Sequence, residues 1–307
     1  MNYIFSFFIL LLFINPITSQ SEKYKGPIID VHIHAFDQER NAMFFGMTHP
    51  PTLRGETYKG VVSAEEQRIK TFQMMEKHNI VKAVVAGGTL WYDHHPEKIL
   101  IGEQGDVKRL RSLHAQGKLH ALSELSPFYA GMKADNPMMS PYYSLAEELQ
   151  IPVGFHILPG GPNGGIYTVG MKKMRAYNAN PLQMEDVLVK YPRMKVYIMH
   201  GGWPYLEDMK ALMYAHPQVY VDIAVINWII PEKEFHNFLK GLVDAGFGKR
   251  IMFGSDQMTW PQTIEIGINA VNNADFLTLN QKEDIFYNNA AQFFGLSDEE
   301  IKVHKGM

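Results

Sequence analysis

Four short segments, spread along the chain, each end an apolar extended run on a residue that can hold a metal ion. They are Asp30-Val31-His32-Ile33-His34, Pro152-Val153-Gly154-Phe155-His156, Val196-Tyr197-Ile198-Met199-His200 and Met252-Phe253-Gly254-Ser255-Asp256. Their β-branched and aromatic residues favour extended backbone. Side chains two apart share a strand face, so His32 and His34 point the same way. Asp30 lies one layer deeper on that face, placed to support a ligand histidine as a hydrogen-bond acceptor. Ile29, Val31 and Ile33 then face the covering helices. Alone, a His-x-His pair would equally suit hydrogen bonding in a polar barrel interior. Asp256 alone could cap the helix expected to open at Pro261. The joint pattern asks for more. Strand ends converge when parallel strands close on one another, which predicts a divalent-metal site at the C-terminal mouth of a (β/α)₈ barrel.

The rest of the chain supports that architecture. Strands are expected at Ile28–His34, Val81–Ala86, Lys98–Gly102, Leu119–Leu125, Pro152–Ile157, Lys195–His200, Val219–Ala224 and Arg250–Ser255. Helical stretches alternate with them: Ala64–His78 after a Ser63 cap, Asp106–Gln116 ending at Gly117, then Tyr142–Gln150, Leu182–Lys190, Tyr205–Ala215, Glu232–Ala245 and Pro261–Val271. Repeated strand–helix units imply parallel strands with right-handed crossovers. Eight such units in about 250 residues match a closed barrel. The rival is an open doubly wound sheet, but no glycine-rich first turn of the dinucleotide-binding type is present. No repeat or linker divides residues 20–307, which read as one α/β domain.

Irregular segments follow the first strand (Ala35–Val62), the second (Gly87–Glu97) and the fifth (Leu158–Pro181). All belong at the mouth, where barrel enzymes build their sites. The last, rich in glycine and proline, reads either as a flap over the site or as a plain surface loop.

Composition narrows the partners. Net charge is −3 at pH 7, so there is no basic field for nucleic acid and no polybasic patch for anionic lipid. Residues 1–21 carry no charged side chain, and Ile4–Ile14 is apolar apart from Ser6. That run is shorter than the roughly 20 residues needed to span a bilayer. It suits a signal peptide over residues 1–19, cleaved near Ser19/Gln20, which predicts export to a periplasmic or secreted location with no stable membrane insertion after processing. An uncleaved N-terminal anchor is the alternative. With no cysteine the protein forms no disulfide. A homo-oligomer is compatible with everything above.

Glu124 ends the fourth expected strand, in Ala121-Leu122-Ser123-Glu124-Leu125, where a carboxylate can bridge a second ion, contact substrate or form a rim ion pair. Taken together, Asp-Val-His-Ile-His at 30–34, His156, His200-Gly201-Gly202, Phe253-Gly254-Ser255-Asp256 and the closing Asn289-Ala290-Ala291-Gln292-Phe293-Phe294-Gly295-Leu296 resemble the amidohydrolase superfamily, in particular its amidohydrolase-related (amidohydrolase-2) branch. The likeness runs from about Pro27 to Leu296. It implies a (β/α)₈ TIM barrel, a divalent metal, usually zinc, and one or two ions. It also implies His32, His34, His156 and Asp256 as ligands. His200 would be an acid/base in one-ion members and a ligand to the second ion in two-ion members, with Glu124 bridging. The branch contains hydrolases and non-oxidative decarboxylases.

The expected activity is metal-assisted hydrolysis of an amide, lactone or other ester of a small molecule, with Asp256 and His200 catalytic. The alternative is decarboxylation of a small aromatic or enolic acid. A non-catalytic secreted binding barrel ranks below both. Lys172 or Arg175 could meet a substrate carboxylate, though each is as well explained as a solvated charge. Trp91, Tyr92 and Trp203 could line a pocket, or simply pack. His94 and His95 read as solvated, and the 18 methionines as core filler.

Overall fold

The computed structural model describes residues 22–168 and 170–307. The expected export segment, residues 1–19, lies outside the described residues. Eight parallel strands follow one another around the sheet in chain order: β1 (Ile28–His34), β2 (Ile80–Ala86), β3 (Ile99–Glu103), β4 (Ala121–Leu125), β5 (Val153–His156), β6 (Val196–Met199), β7 (Val219–Asp222) and β8 (Ile251–Met252). The ring closes where the chain around β8 meets β1. Val31 N–H donates to Phe253 O at 3.0 Å, and Asp256 N–H donates to His32 O at 2.7 Å. The fold is a single (β/α)₈ TIM barrel, not an open doubly wound sheet. No helix among the described residues is long and apolar enough to cross a membrane.

All eight expected strands are present, with ends that differ for local reasons. β8 is shorter than expected because the Phe253 amide donates to Ile285 O at 2.8 Å, outside the strand ladder. β7 stops at Asp222 because the chain then folds into a γ-turn. Its Ile226 N–H reaches back two residues to Ala224 O at 2.7 Å, and Val225 sits at φ 64°. That hand of γ-turn is strained in a β-branched residue.

The expected helices are also present. Ser63 accepts from Glu66 N–H and caps Ala64–Lys77. The expected helix at Leu182–Lys190 is split: Asn180 caps a tight turn at Pro181–Met184 before Glu185–Lys190. The one expected at Glu232–Ala245 ends earlier, at Leu242, and the chain beyond it unwinds through Gly246 at φ 90°. The closing segment forms a helix at Asn289–Phe294 that stops at left-handed Gly295. Its Ala290 and Phe293 share a buried cluster with Ile29 and Val31 of β1.

Candidate metal centre

The barrel brings all six predicted ligand-type residues to one place. His32 and His34 come from β1, Glu124 from β4 and His156 from β5. His200 follows β6 and Asp256 follows β8. His32, His34 and Asp256 each offer a ligand atom within 4.8 Å of the others, and His32, Glu124 and His200 form a second such trio. His34 Nε2 stands 3.0 Å from Asp256 Oδ1 and 3.6 Å from Glu124 Oε2. His156 belongs to neither trio among the described residues but abuts the second: its Nδ1 bonds Glu124 Oε1 and lies 3.1 Å from His200 Nε2.

Hydrogen bonds outside the centre decide which nitrogen of each ring faces it. His32 Nδ1 lies 3.0 Å from Asp222 Oδ2, and an ionised carboxylate only accepts, so Nδ1 carries a proton and Nε2 faces inward. His200 Nδ1 is 3.1 Å from Ala224 O. A carbonyl also only accepts, which leaves His200 Nε2 as the inward lone pair. His156 Nε2 is 2.8 Å from the Tyr129 hydroxyl.

Asp222 corrects one expectation. Asp30 supports His32 as an acceptor, but through the backbone and not the ring. Its Oδ1 accepts the backbone N–H groups of His32 and Ser255, each at 3.0 Å, and ties β1 to the chain after β8. The carboxylate on the ring is Asp222, which also accepts from His200 N–H at 2.8 Å and Ala224 N–H at 3.0 Å. Its signal was legible as the one charge inside the apolar run Val219–Ala224. Gln257 grips His34 by the backbone, accepting its N–H at 2.9 Å and donating to its O at 2.8 Å. Gln257 and Tyr129 carry no comparable sequence signal.

Burial and neighbouring charge separate the protonation states. Burial opposes ionisation of Asp256, but His32 and His34 outweigh it and hold the carboxyl below its ordinary range. Burial would lower His32, but the carboxylates of Asp256 and Asp222 raise it to about 9. Burial, reinforced by His200, keeps His156 well below the usual histidine value. Burial, reinforced by His32, lowers His200 too. Burial pushes Asp30 up to about 7 against its hydrogen bonds from Ser255 and His32.

Two atoms test whether a cation fits. His32 Nε2 and Asp256 Oδ1 are buried and make no well-aligned hydrogen bond among the described residues, although His34 Nε2 approaches Asp256 Oδ1 to 3.0 Å. They lie 3.7 Å apart. Buried polar atoms are seldom left unmatched, so two facing each other beside a third donor make a site that a cation completes. The backbone is strained here as well, with His200 at φ 63° and Asp256 at φ 50°. Gly254 leaves room for this packing, since a Cβ there would sit 2.9 Å from that of His32.

The centre opens into a cleft of about 370 Å³. Phe36, Phe44 and Met47 from the loop after β1 form part of its wall, with Met171 and Met174 after β5 and Trp260 after β8. The methionines are therefore cleft wall as well as core. Asn163, in the segment after β5, donates to Pro51 O at 2.7 Å and joins the two loops. Lys172 and Arg175 do not line the cleft; Arg175 instead donates to the carbonyls of Lys172 and Met174, each at 2.8 Å. Trp91 is buried against Phe72, and Trp203 donates to Glu234, so neither forms cleft wall. Tyr92 likewise packs against the core outside the cleft.

The amidohydrolase family model (amidohydrolase-2) matches residues 29–296. The chain belongs to the amidohydrolase family. No curated protein matches this amidohydrolase significantly. Solved structures share its fold at low identity. One is a probable 2-pyrone-4,6-dicarboxylic acid hydrolase from Acinetobacter baumannii with citric acid bound (17% identity, 88% of this chain, 99% of that chain, TM-score 0.62). Another is 5-carboxyvanillate decarboxylase from Sphingomonas paucimobilis (12% identity, 88% of this chain, 99% of that chain, TM-score 0.62). A third is the Novosphingobium aromaticivorans 5-carboxyvanillate decarboxylase complexed with manganese and a nitrobenzoic acid (15% identity, 91% of this chain, 99% of that chain, TM-score 0.57).

Proposed function

We propose that the protein is a metal-dependent hydrolase of an amide, lactone or other ester bond in a small molecule. One observation carries this reading: an ionised, buried Asp256 and the unpartnered Nε2 of His32 converge beside His34 at the floor of an apolar cleft. Imidazole nitrogen with carboxylate oxygen suits Zn²⁺ first, and the same donors accommodate Mn²⁺. His32, His34 and Asp256 would hold one ion, and Glu124 with His200 would join a second, beside His156. Such an ion, when bound, lowers the pKa of water to about 7 and polarises a carbonyl oxygen.

The side chains supply the rest. Asp256 accepts the proton of the attacking water on its carboxylate and returns it to the leaving group. His200, neutral with its proton fixed on Nδ1, presents Nε2 as ligand or as proton acceptor according to the number of ions. Asp222 keeps His32 oriented, and Tyr129 holds His156. The apolar wall of Phe36, Phe44, Met47 and Trp260 keeps bulk water from the reacting bond.

A second reading, non-oxidative decarboxylation of an aromatic or enolic acid, draws on the decarboxylases among the structural neighbours and on the flat apolar wall of the cleft. A non-catalytic binding barrel ranks below both. The purified protein assayed on esters, lactones, amides and aromatic acids separates them. Hydrolytic turnover supports the first reading, and carbon dioxide release without hydrolysis overturns it in favour of the second. We further propose export through residues 1–19, on the apolar run Ile4–Ile14, with a shorter mature chain by mass spectrometry as the test.

A further inference from the structure

Among the described residues the cleft contains one imidazole outside the metal centre. His49 lies in the loop after β1, where Thr48 and Lys59 form an antiparallel bridge and His49 N–H donates to Tyr58 O at 2.8 Å. The residue is 7% exposed and forms part of the cleft wall.

Three aromatic rings hold it. Trp260 packs nearly perpendicular with centroids 4.7 Å apart, Trp228 does so at 5.2 Å, and Tyr58 lies tilted at 6.3 Å. Those partners are themselves anchored. Trp260 Nε1 donates to Met47 O at 3.2 Å, and Trp228 Nε1 donates to Ser255 O at 2.8 Å, one residue from Asp256. The box therefore locks the His49 ring relative to the metal centre.

The tautomer follows from the same geometry. His49 Nδ1 bonds the carbonyl of Pro50, which can only accept, so Nδ1 carries the proton. Nε2 is then an acceptor, and it has no hydrogen-bond partner among the described residues. Burial lowers the basicity of the ring, against smaller raising effects of Pro50 O and Asp256, and so favours the neutral form.

We infer that His49 is a substrate-recognition residue whose Nε2 accepts a hydrogen bond from an O–H or N–H group on a flat, largely apolar substrate held in the cleft. The inference adds a substrate class to the proposed function and rests on that reading for calling the ligand a substrate. The binding chemistry stands on the cleft alone. A phenol or an N–H heterocycle fits, because the walls offer aromatic and thioether surface and His49 offers one fixed acceptor. An O-methylated analogue has nothing to donate and leaves Nε2 unmatched.

The test uses the full chain with histidine labelled for nitrogen NMR, and phenol and anisole as the paired probes. His49→Phe identifies the His49 signals by their loss. The expected spectrum has a protonated Nδ1 and a bare Nε2, and phenol shifts the Nε2 resonance where anisole does not. Phenol should bind roughly three- to tenfold more tightly than anisole. His49→Phe should erase that preference. His49→Gln, whose side-chain oxygen still accepts, should keep part of it and serves as the informative variant should the Phe variant misfold. A protonated Nε2, an equal response to both probes, or no response to either overturns the inference. Metal content is measured on the same samples. Loss of metal binding with the phenol preference intact sinks the metal-dependent activity and leaves His49 standing. Metal bound with no preference does the reverse.

Discussion

The two ends of the barrel treat charge in opposite ways. At the N-terminal end lysine and arginine side chains each find a separate partner. Lys82 pairs with Glu300, and Lys249 with Asp284 at 2.6 Å. Arg250 donates to the carbonyls of Met213, His216 and Val219 at 2.8–3.2 Å. At the C-terminal mouth six ligand-type side chains crowd together, with buried His32 Nε2 facing Asp256 Oδ1 at 3.7 Å. Backbone conformation divides the same way. Non-glycine residues with positive φ near the base are Asn79 and Gln150 at helix ends, where that conformation is ordinary, whereas at the mouth they are Asn163, His200, Val225, Asp256 and Met258 among the described residues. One end is arranged for stability, and the other carries strain and a crowd of ligand-type groups that a cation can organise.

Substitutions at the two ends should therefore fail differently. The largest effect is expected from Asp256→Asn at the mouth, which removes the proton acceptor and should lower kcat by about a thousandfold with thermal stability little changed. Steady-state kinetics beside calorimetry reads both; retained turnover would remove Asp256 from the chemistry. Next comes Arg250→Met at the base. It leaves three half-buried carbonyls without their donor and should reduce stability by roughly 3 kcal/mol in denaturant unfolding, with metal stoichiometry intact. A parallel loss of metal would blur the division between the ends.

Asp222→Asn tests how the mouth is oriented. The amide cannot reproduce every contact of the carboxylate, so chelator competition should show roughly ten- to a hundredfold weaker metal binding. Unchanged affinity would make Asp222 a packing residue. The smallest effect belongs to Glu300, which Lys82 and then the Ser297 N–H hold down to about 2. Its folded value is depressed, so its contribution is present above the unfolded carboxylate value of about 4.3 and is lost as pH falls through about 2. Acid unfolding curves of wild type and Glu300→Gln should differ at neutral pH and converge at the acid limit; a constant offset would contradict this.

The sequence spoke clearly where a regular period carried the information. Alternation along β1 put His32 and His34 on one face, and apolar runs ending on His156, His200 and Asp256 marked strand tips before any contact was known. Asp222 was equally regular, a charge in an apolar strand, yet its neighbour in space is a histidine 190 residues earlier. Asp30 occupied the more obvious position and took a backbone role instead. Tyr129 and His49 lie in irregular segments, where position is set by tertiary contacts such as the Trp228–Trp260 box and no period announces it. Strand ends shifted for the same reason, because the Phe253 amide found Ile285 O beyond the sheet.

If the mouth is a cation site, elemental analysis of the protein purified without added metal will reveal it. The wild type should carry one or two equivalents of divalent metal, sharply reduced in His34→Ala. A ratio near two would make Glu124 and His200 ligands, and a ratio near one would leave His200 free to move protons. A folded wild-type protein that carries no divalent metal, and takes up none when Zn²⁺ or Mn²⁺ is supplied, would contradict the account.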